Sequence, residues 1–154
     1  MTLTSGSAAP DFELAVSAGR TVSLASLRGR KVVLYFYPKD DTSGCTREAM
    51  DFNALRAKFA AADTEVIGVS ADDLASHDKF KAKHGLALTL AADPDKAAIE
   101  AYGVWGEKKL YGRTYMGIER TTFLIDATGH IAQIWHKVRV PGHAEAVLSA
   151  ARAL

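Results

Sequence analysis

Four short runs along the chain are almost wholly apolar and rich in β-branched or aromatic residues: Val32–Tyr37, Glu65–Val69, Thr121–Ile125 and His130–Trp135. Their length and content predict buried strands. Between them the apolar positions follow a helical period. Gly44–Ala62 predicts the longest helix, with Phe52, Leu55 and Phe59 on one stripe. Asp72–His84 predicts a second, opened by acids and closed by Gly85. Asp93-Pro94 followed by Lys96–Tyr102 predicts a short third. Gly142–Leu154 predicts the last, with Ala146, Val147 and Ala150 along one side. Thr128-Gly129 is a tight-turn pair that joins the last two strands as a hairpin.

The alternation of strands and helices in the first part implies parallel βαβ units, and the terminal hairpin adds antiparallel strands. The expected fold is α/β: a mixed central sheet with helices on both faces, the thioredoxin-like arrangement, as a single domain over residues 1–154. The stretch around Gly19 predicts an N-terminal turn or small hairpin. One segment has no clear period. Gly103–Glu119, GVWGEKKLYGRTYMGIE, carries four glycines and reads as a long loop, either a functional one or an ordered surface connection.

Composition narrows the function. The 154 residues are 48% hydrophobic and 24% charged, with net charge +1, which leaves no electrostatic footprint for nucleic acid or an anionic membrane. The N-terminal residues lack a basic patch followed by an apolar run, and no apolar run is long enough to span a bilayer, so the expected location is the cytoplasm. The chain has one cysteine, Cys45, which excludes an intramolecular disulfide and any multi-cysteine metal site.

Cys45 follows a strand, Pro38 and a polar turn, and it opens the longest predicted helix. Thr42 and Ser43 are good N-cap types, and Gly44 permits close backbone approach. In the first helical turn, unpaired backbone N–H groups and the positive end of the helix dipole favour thiolate over thiol. Cys45, Ala49, Phe52, Leu55 and Phe59 share one stripe, which places the sulfur on the inward face. A buried, inert cysteine is the bland alternative. Where a redox helix would carry a second cysteine three residues earlier, this chain has Thr42. A hydroxyl cannot form a disulfide, but it can hydrogen-bond a sulfur or a bound oxygen. An activated single thiolate beside a hydroxyl suits attack on a small electrophile.

The stretch YPKDDTSGCTREAMDF, Tyr37–Phe52, contains Pro38-x-x-x-Thr42-x-x-Cys45 and resembles the active-site pattern of the peroxiredoxins, in particular the peroxiredoxin Q or bacterioferritin comigratory protein group. Gly6–Leu14 and Tyr102–Asp126 resemble the same group in order and spacing. The resemblance implies a peroxidase with Cys45 as peroxidatic nucleophile, Thr42 as the hydroxyl that bonds the peroxide, Pro38 as shield and Arg120 as the active-site arginine. It implies a hydroperoxide substrate, an antioxidant role and no metal or organic cofactor.

Two positions depart from the resembled pattern. Ser43 stands where proline is often found. Met50, five residues after Cys45, stands where many members carry a resolving cysteine, and it reads as a packing residue. A Cys45 sulfenic acid would then be reduced by an outside thiol: glutathione, glutaredoxin, thioredoxin or a second subunit. The expected state is a monomer or weak homodimer. Two rival readings share the residues: a peroxide sensor that relays oxidation from Cys45 to a partner, and a binding module with an inert thiol. The five histidines read as surface or core residues, Asp40-Asp41 as turn and capping residues, and Lys108-Lys109 as solvated loop charge.

Overall fold

The computed structural model describes residues 2–154. The first half contains β1 (Glu13–Val16), β2 (Arg20–Ser23), β3 (Lys31–Phe36), α1 (Ser43–Ala54), α2 (Arg56–Ala61), β4 (Thr64–Ser70) and α3 (Leu74–His84). The second contains β5 (Thr89–Ala92), α4 (Ala97–Ala101), β6 (Trp105–Leu110), β7 (Arg113–Ile118), β8 (Thr121–Ile125), β9 (Ile131–Trp135) and α5 (His143–Ala153). Seven strands make one mixed sheet in the order β2-β1-β5-β4-β3-β8-β9. The β3–β4 and β4–β5 pairs are parallel and the others antiparallel. This is the α/β, thioredoxin-like arrangement. The stretch around Gly19 is the turn of the β1–β2 hairpin, with Ala18 and Gly19 both at positive φ.

The alternation along β3 sorts the helices into two layers. Val32, Leu34 and Phe36 pack in the same cluster as Ala98, Ile99 and Tyr102 of the α4 region. Val33, Tyr35 and Tyr37 pack with Phe52, Phe59, Phe80 and Val147 from α1, α2, α3 and α5. Both faces of the strand are covered, which is why its sequence is continuously apolar rather than alternating. Gly68 of β4 lies opposite Tyr35, and a Cβ there would stand 2.6 Å from the Tyr35 ring. Glycine at that strand position makes room for a ring that stacks on Phe52 of α1 at 4.7 Å. The sheet therefore sets the position of the helix that carries Cys45.

Three expectations change. The single helix Gly44–Ala62 is broken at Leu55, where ψ is 3° and the backbone N–H turns back to Phe52. Asn53 anchors the end of α1 by accepting the N–H groups of Ala87 and Leu88. One altered ψ leaves the apolar spacing nearly unchanged, so periodicity reads straight through the joint. On α5 the buried face is His143, Ala144, Val147, Leu148 and Ala151, so of the three residues expected to share a side only Val147 is fully buried. The segment Gly103–Glu119 is not a loop. It is the β6–β7 hairpin, closed by Tyr111 and Gly112, both at positive φ, as a two-residue turn requires. Among the described residues its strands pair only with each other, so neither face is continuously apolar and no strand pattern is visible.

Candidate active site

Cys45 lies in the first turn of α1, 1% exposed, packed with Ala49 and Phe52. The helix begins at Ser43 with Thr42 as N-cap, but the Thr42 hydroxyl does not cap it. It donates instead to the Lys39 carbonyl at 2.9 Å. The first intrahelical bond at this end runs from Thr46 N–H to Thr42 O, so the N–H groups of residues 43–45 precede the ladder and find no acceptor among the described residues. The lone pairs of the Thr42 hydroxyl also remain free to accept. Pro38 is half-buried in the bend between β3 and α1.

Arg120, at the end of the β7–β8 connection, reaches this helix start from the other side. Its Nη2 donates to Cys45 Sγ at 3.3 Å, and its Nη1 donates to Glu48 Oε1 at 2.6 Å. Gly44 makes the approach possible: a Cβ there would stand 3.2 Å from Arg120 Nη2. Burial works against the charge on Arg120, but Glu48 and Cys45 outweigh it and hold the guanidinium above its ordinary range. The structure thus brings together Cys45, Thr42 and Arg120 at one helix start. Free N–H groups of the first turn and a guanidinium 3.3 Å from the sulfur can stabilise negative charge there and on a bound oxygen, and the Thr42 hydroxyl stands at the same helix start.

Glu48 was not singled out in the sequence. It is three residues beyond Cys45, on the same inward side of α1, and a carboxylate on a buried stripe is the signal that marks it. Only 1% of its surface is exposed, and its Oε2 has no hydrogen-bond partner among the described residues. Burial pushes its carboxyl up to about 7, with Arg120 pulling back against that rise. Between pH 4.5 and about 7 the folded chain therefore holds a proton that the unfolded chain releases. Stability from this group is fully present below 4.5 and is lost as pH rises through about 7. A gap of that size corresponds to roughly 3 kcal/mol. Glu48→Gln stays neutral, so its stability relative to wild type should improve by that order between pH 5 and pH 8.5. Urea unfolding midpoints at the two pH values measure it, and a pH-independent difference would count against the assignment.

Other residues sit differently from expectation. Lys108 is not a solvated loop charge: its stem crosses Gly117, where a Cβ would stand 3.0 Å from Lys108 Cδ, and its Nζ donates to the Ile118 carbonyl at 2.8 Å. Burial and the nearby Arg120 hold its amine below the ordinary lysine range, with Cys45 and Glu119 acting the other way. Met50, read as packing, is 48% exposed. The histidines divide between core and surface, as expected: His77 and His143 are buried and His130 and His136 exposed; burial and Arg120 bring His143 down to about 4, and Thr122 bonds it at 2.8 Å. Asp40 is also buried, and it is more than a turn residue.

The AhpC/TSA family model matches residues 5–134. Peroxiredoxin Bcp of Xanthomonas campestris is 48% identical over 143 residues, covering 93% of this chain and 89% of that protein. Peroxiredoxin Bcp of Bacillus subtilis is 49% identical over 143 residues, covering 93% and 91%. The chain belongs to the AhpC/TSA family. It is a peroxiredoxin of the Bcp/PrxQ group, and so a thiol-dependent peroxidase. Among solved structures, the bacterioferritin comigratory protein of Xanthomonas campestris matches with a TM-score of 0.91 at 45% identity, covering 99% of this chain and 96% of that one. A cysteine variant of PrxQ from Xylella fastidiosa matches with a TM-score of 0.93 at 38% identity, covering 99% and 98%. Structures of the Xanthomonas peroxiredoxin Q include serine variants at two different cysteines, whereas the peroxiredoxin described here has Cys45 alone. In this peroxiredoxin no helix among the described residues is long and apolar enough to cross a membrane.

Proposed function

We propose that this peroxiredoxin reduces hydrogen peroxide and organic hydroperoxides through Cys45 alone and depends on an external thiol for each turnover. The observation that carries the proposal is a single cysteine, buried at a helix start within 3.3 Å of a guanidinium. The Cys45 thiolate attacks the terminal oxygen of ROOH; the S–O bond forms as the O–O bond breaks, giving sulfenic acid and RO⁻, which takes up a proton to leave as ROH. Arg120, the Thr42 hydroxyl and the free N–H groups of the first turn hold the developing charge, and Pro38 shields the sulfur from water. An outside thiol then attacks the sulfenic sulfur, releasing water and leaving a mixed disulfide. A second thiol resolves it to the Cys45 thiol and an external disulfide. Thioredoxin, glutaredoxin and glutathione fit this chemistry, in the cytoplasm, with the enzyme a monomer or weak homodimer. The Xanthomonas relative is described by its alkyl peroxide reduction activity, which supports the organic branch of the substrate class.

One equivalent of hydroperoxide added to reduced enzyme should give a sulfenic acid, trapped on Cys45 and read by intact mass. Steady-state consumption should then require a thiol system, and thioredoxin and glutathione/glutaredoxin compared side by side name the reductant. An unmodified Cys45 overturns the proposal. Oxidation limited to one equivalent with every reductant would favour the peroxide-sensor reading instead.

A further inference from the structure

Asp40 lies two residues before Thr42, in the segment that links β3 to the helix of Cys45. Its side chain is 3% exposed and fully engaged. Oδ1 accepts the Tyr37 hydroxyl at 2.6 Å; Oδ2 accepts the Ser76 hydroxyl at 2.8 Å and faces His77 Nδ1 at 2.6 Å. The hydrogen bonds from His77 and Tyr37 outweigh the burial and hold the Asp40 carboxyl below its ordinary range. Its own backbone N–H donates to Asp72 Oδ2 at 2.8 Å. His77 is 0% exposed, and its other ring nitrogen meets the Ala91 carbonyl of β5 at 2.9 Å. The neighbouring Asp41, at positive φ, is held by Lys83 at 2.7 Å and His84 at 2.8 Å from the end of α3.

A histidine–carboxylate contact buried this deeply is a poor way to gain stability, since apolar groups of the same shape serve as well. What it supplies is direction. Hydrogen bonds fix a backbone segment in one place and one orientation, where apolar contacts allow sliding. The segment fixed here ends on Thr42, the N-cap of the helix that carries Cys45 in its first turn. We propose that His77 and Asp40 are positioning residues for the peroxidase reaction: His77 holds Asp40, and Asp40 sets where Thr42 and the first turn of α1 stand relative to Arg120. Neither residue touches the sulfur. The inference rests on Cys45 being the peroxidatic nucleophile.

Two variants separate positioning from simple stability. Asparagine places its amide N–H near the Nδ1 position, so His77→Asn keeps the bond to Asp40 and loses the one to Ala91. Glutamine reaches the Nε2 position, so His77→Gln keeps Ala91 and loses Asp40. Both remove a buried ring and should lower the unfolding midpoint similarly. The rate constant for Cys45 oxidation by hydroperoxide, followed by stopped flow far below either midpoint, should fall about tenfold or more in His77→Gln and stay within about threefold of wild type in His77→Asn. Backbone amide shifts of residues 41–45 read the same effect without turnover: large changes in His77→Gln, small ones in His77→Asn. Equal rates and equal shifts in the two variants overturn the inference. A wild-type enzyme that consumes no hydroperoxide overturns the proposed function instead, and the amide shifts still decide the positioning role.

Discussion

In Cys45→Ser, thiol-dependent hydroperoxide consumption is expected to fall to the uncatalysed rate, a loss of at least about a thousandfold. The chain should stay folded. Serine is close to cysteine in size, and the substitution exchanges one polar-edged small group for another at a position 1% exposed. The hydroxyl would lie within reach of the Arg120 guanidinium that now meets the sulfur at 3.3 Å. Even if that contact is not made, a hydroxyl among Ala49 and Phe52 costs only about 1 kcal/mol. Activity nevertheless disappears, because a serine hydroxyl is not ionised by one guanidinium and a helix start, and an alcohol cannot take an oxygen atom from a peroxide as a thiolate does. The comparison is clean in this chain because no second thiol can take over. Peroxide consumption assayed with each reductant system, beside thermal unfolding of both proteins, checks the result. Retained turnover in a folded variant would move the chemistry away from Cys45 altogether.

Much of this was legible in advance where the sequence signal is local. The run Val32–Tyr37 and the helix start after it depend on residue types within a few positions, so the strand, the turn and the inward cysteine could be read directly. The β1–β2 hairpin around Gly19 was legible for the same reason. Arg120 was not, from spacing alone: nothing near it in the chain separates a guanidinium 3.3 Å from a sulfur from one in solvent. Its contact with Cys45 is made across 75 residues, and only resemblance to a known pattern pointed there. The Asp40–His77 contact spans 37 residues and was hidden likewise; an acid in a turn before a helix has an adequate local explanation, so nothing signals burial. The β6–β7 hairpin failed for another reason. It packs little of either face, so the alternation that normally reveals a strand has no burial to enforce it. Glu48 could have been found: at helical spacing from Cys45, a charged residue on the buried stripe conflicts with its surroundings, and such conflicts mark functional sites.

Arg120→Met is expected to slow the attack of Cys45 on hydroperoxide by about 100- to 1,000-fold, the usual loss when one donor to a developing anion is removed. Methionine keeps an unbranched stem of comparable reach, so the change isolates the guanidinium. That group does two things in the structure: Nη2 serves the sulfur, and Nη1 serves Glu48 at 2.6 Å. Removing one partner of a buried ion pair ordinarily destabilises by about 3–5 kcal/mol, because the other charge is stranded. Here the carboxyl already stands at about 7, and without the guanidinium it rises further. Glu48 then takes up a proton at neutral pH, and this limits the damage. The variant's stability deficit should accordingly be small near pH 5.5 and grow towards pH 8.5, where keeping the carboxyl protonated becomes unfavourable. Adding Glu48→Gln should remove that growth without restoring the rate, which separates the two roles of one side chain. Arg120→Lys should recover only part of the rate, since an ammonium cannot present two donors in one plane to Sγ and Oε1. Stopped-flow oxidation rates and urea unfolding across pH measure both arms. Wild-type oxidation rates in Arg120→Met, with the pH-dependent deficit still present, would reduce Arg120 to a structural partner of Glu48 and return the stabilisation of the sulfur to the helix start alone.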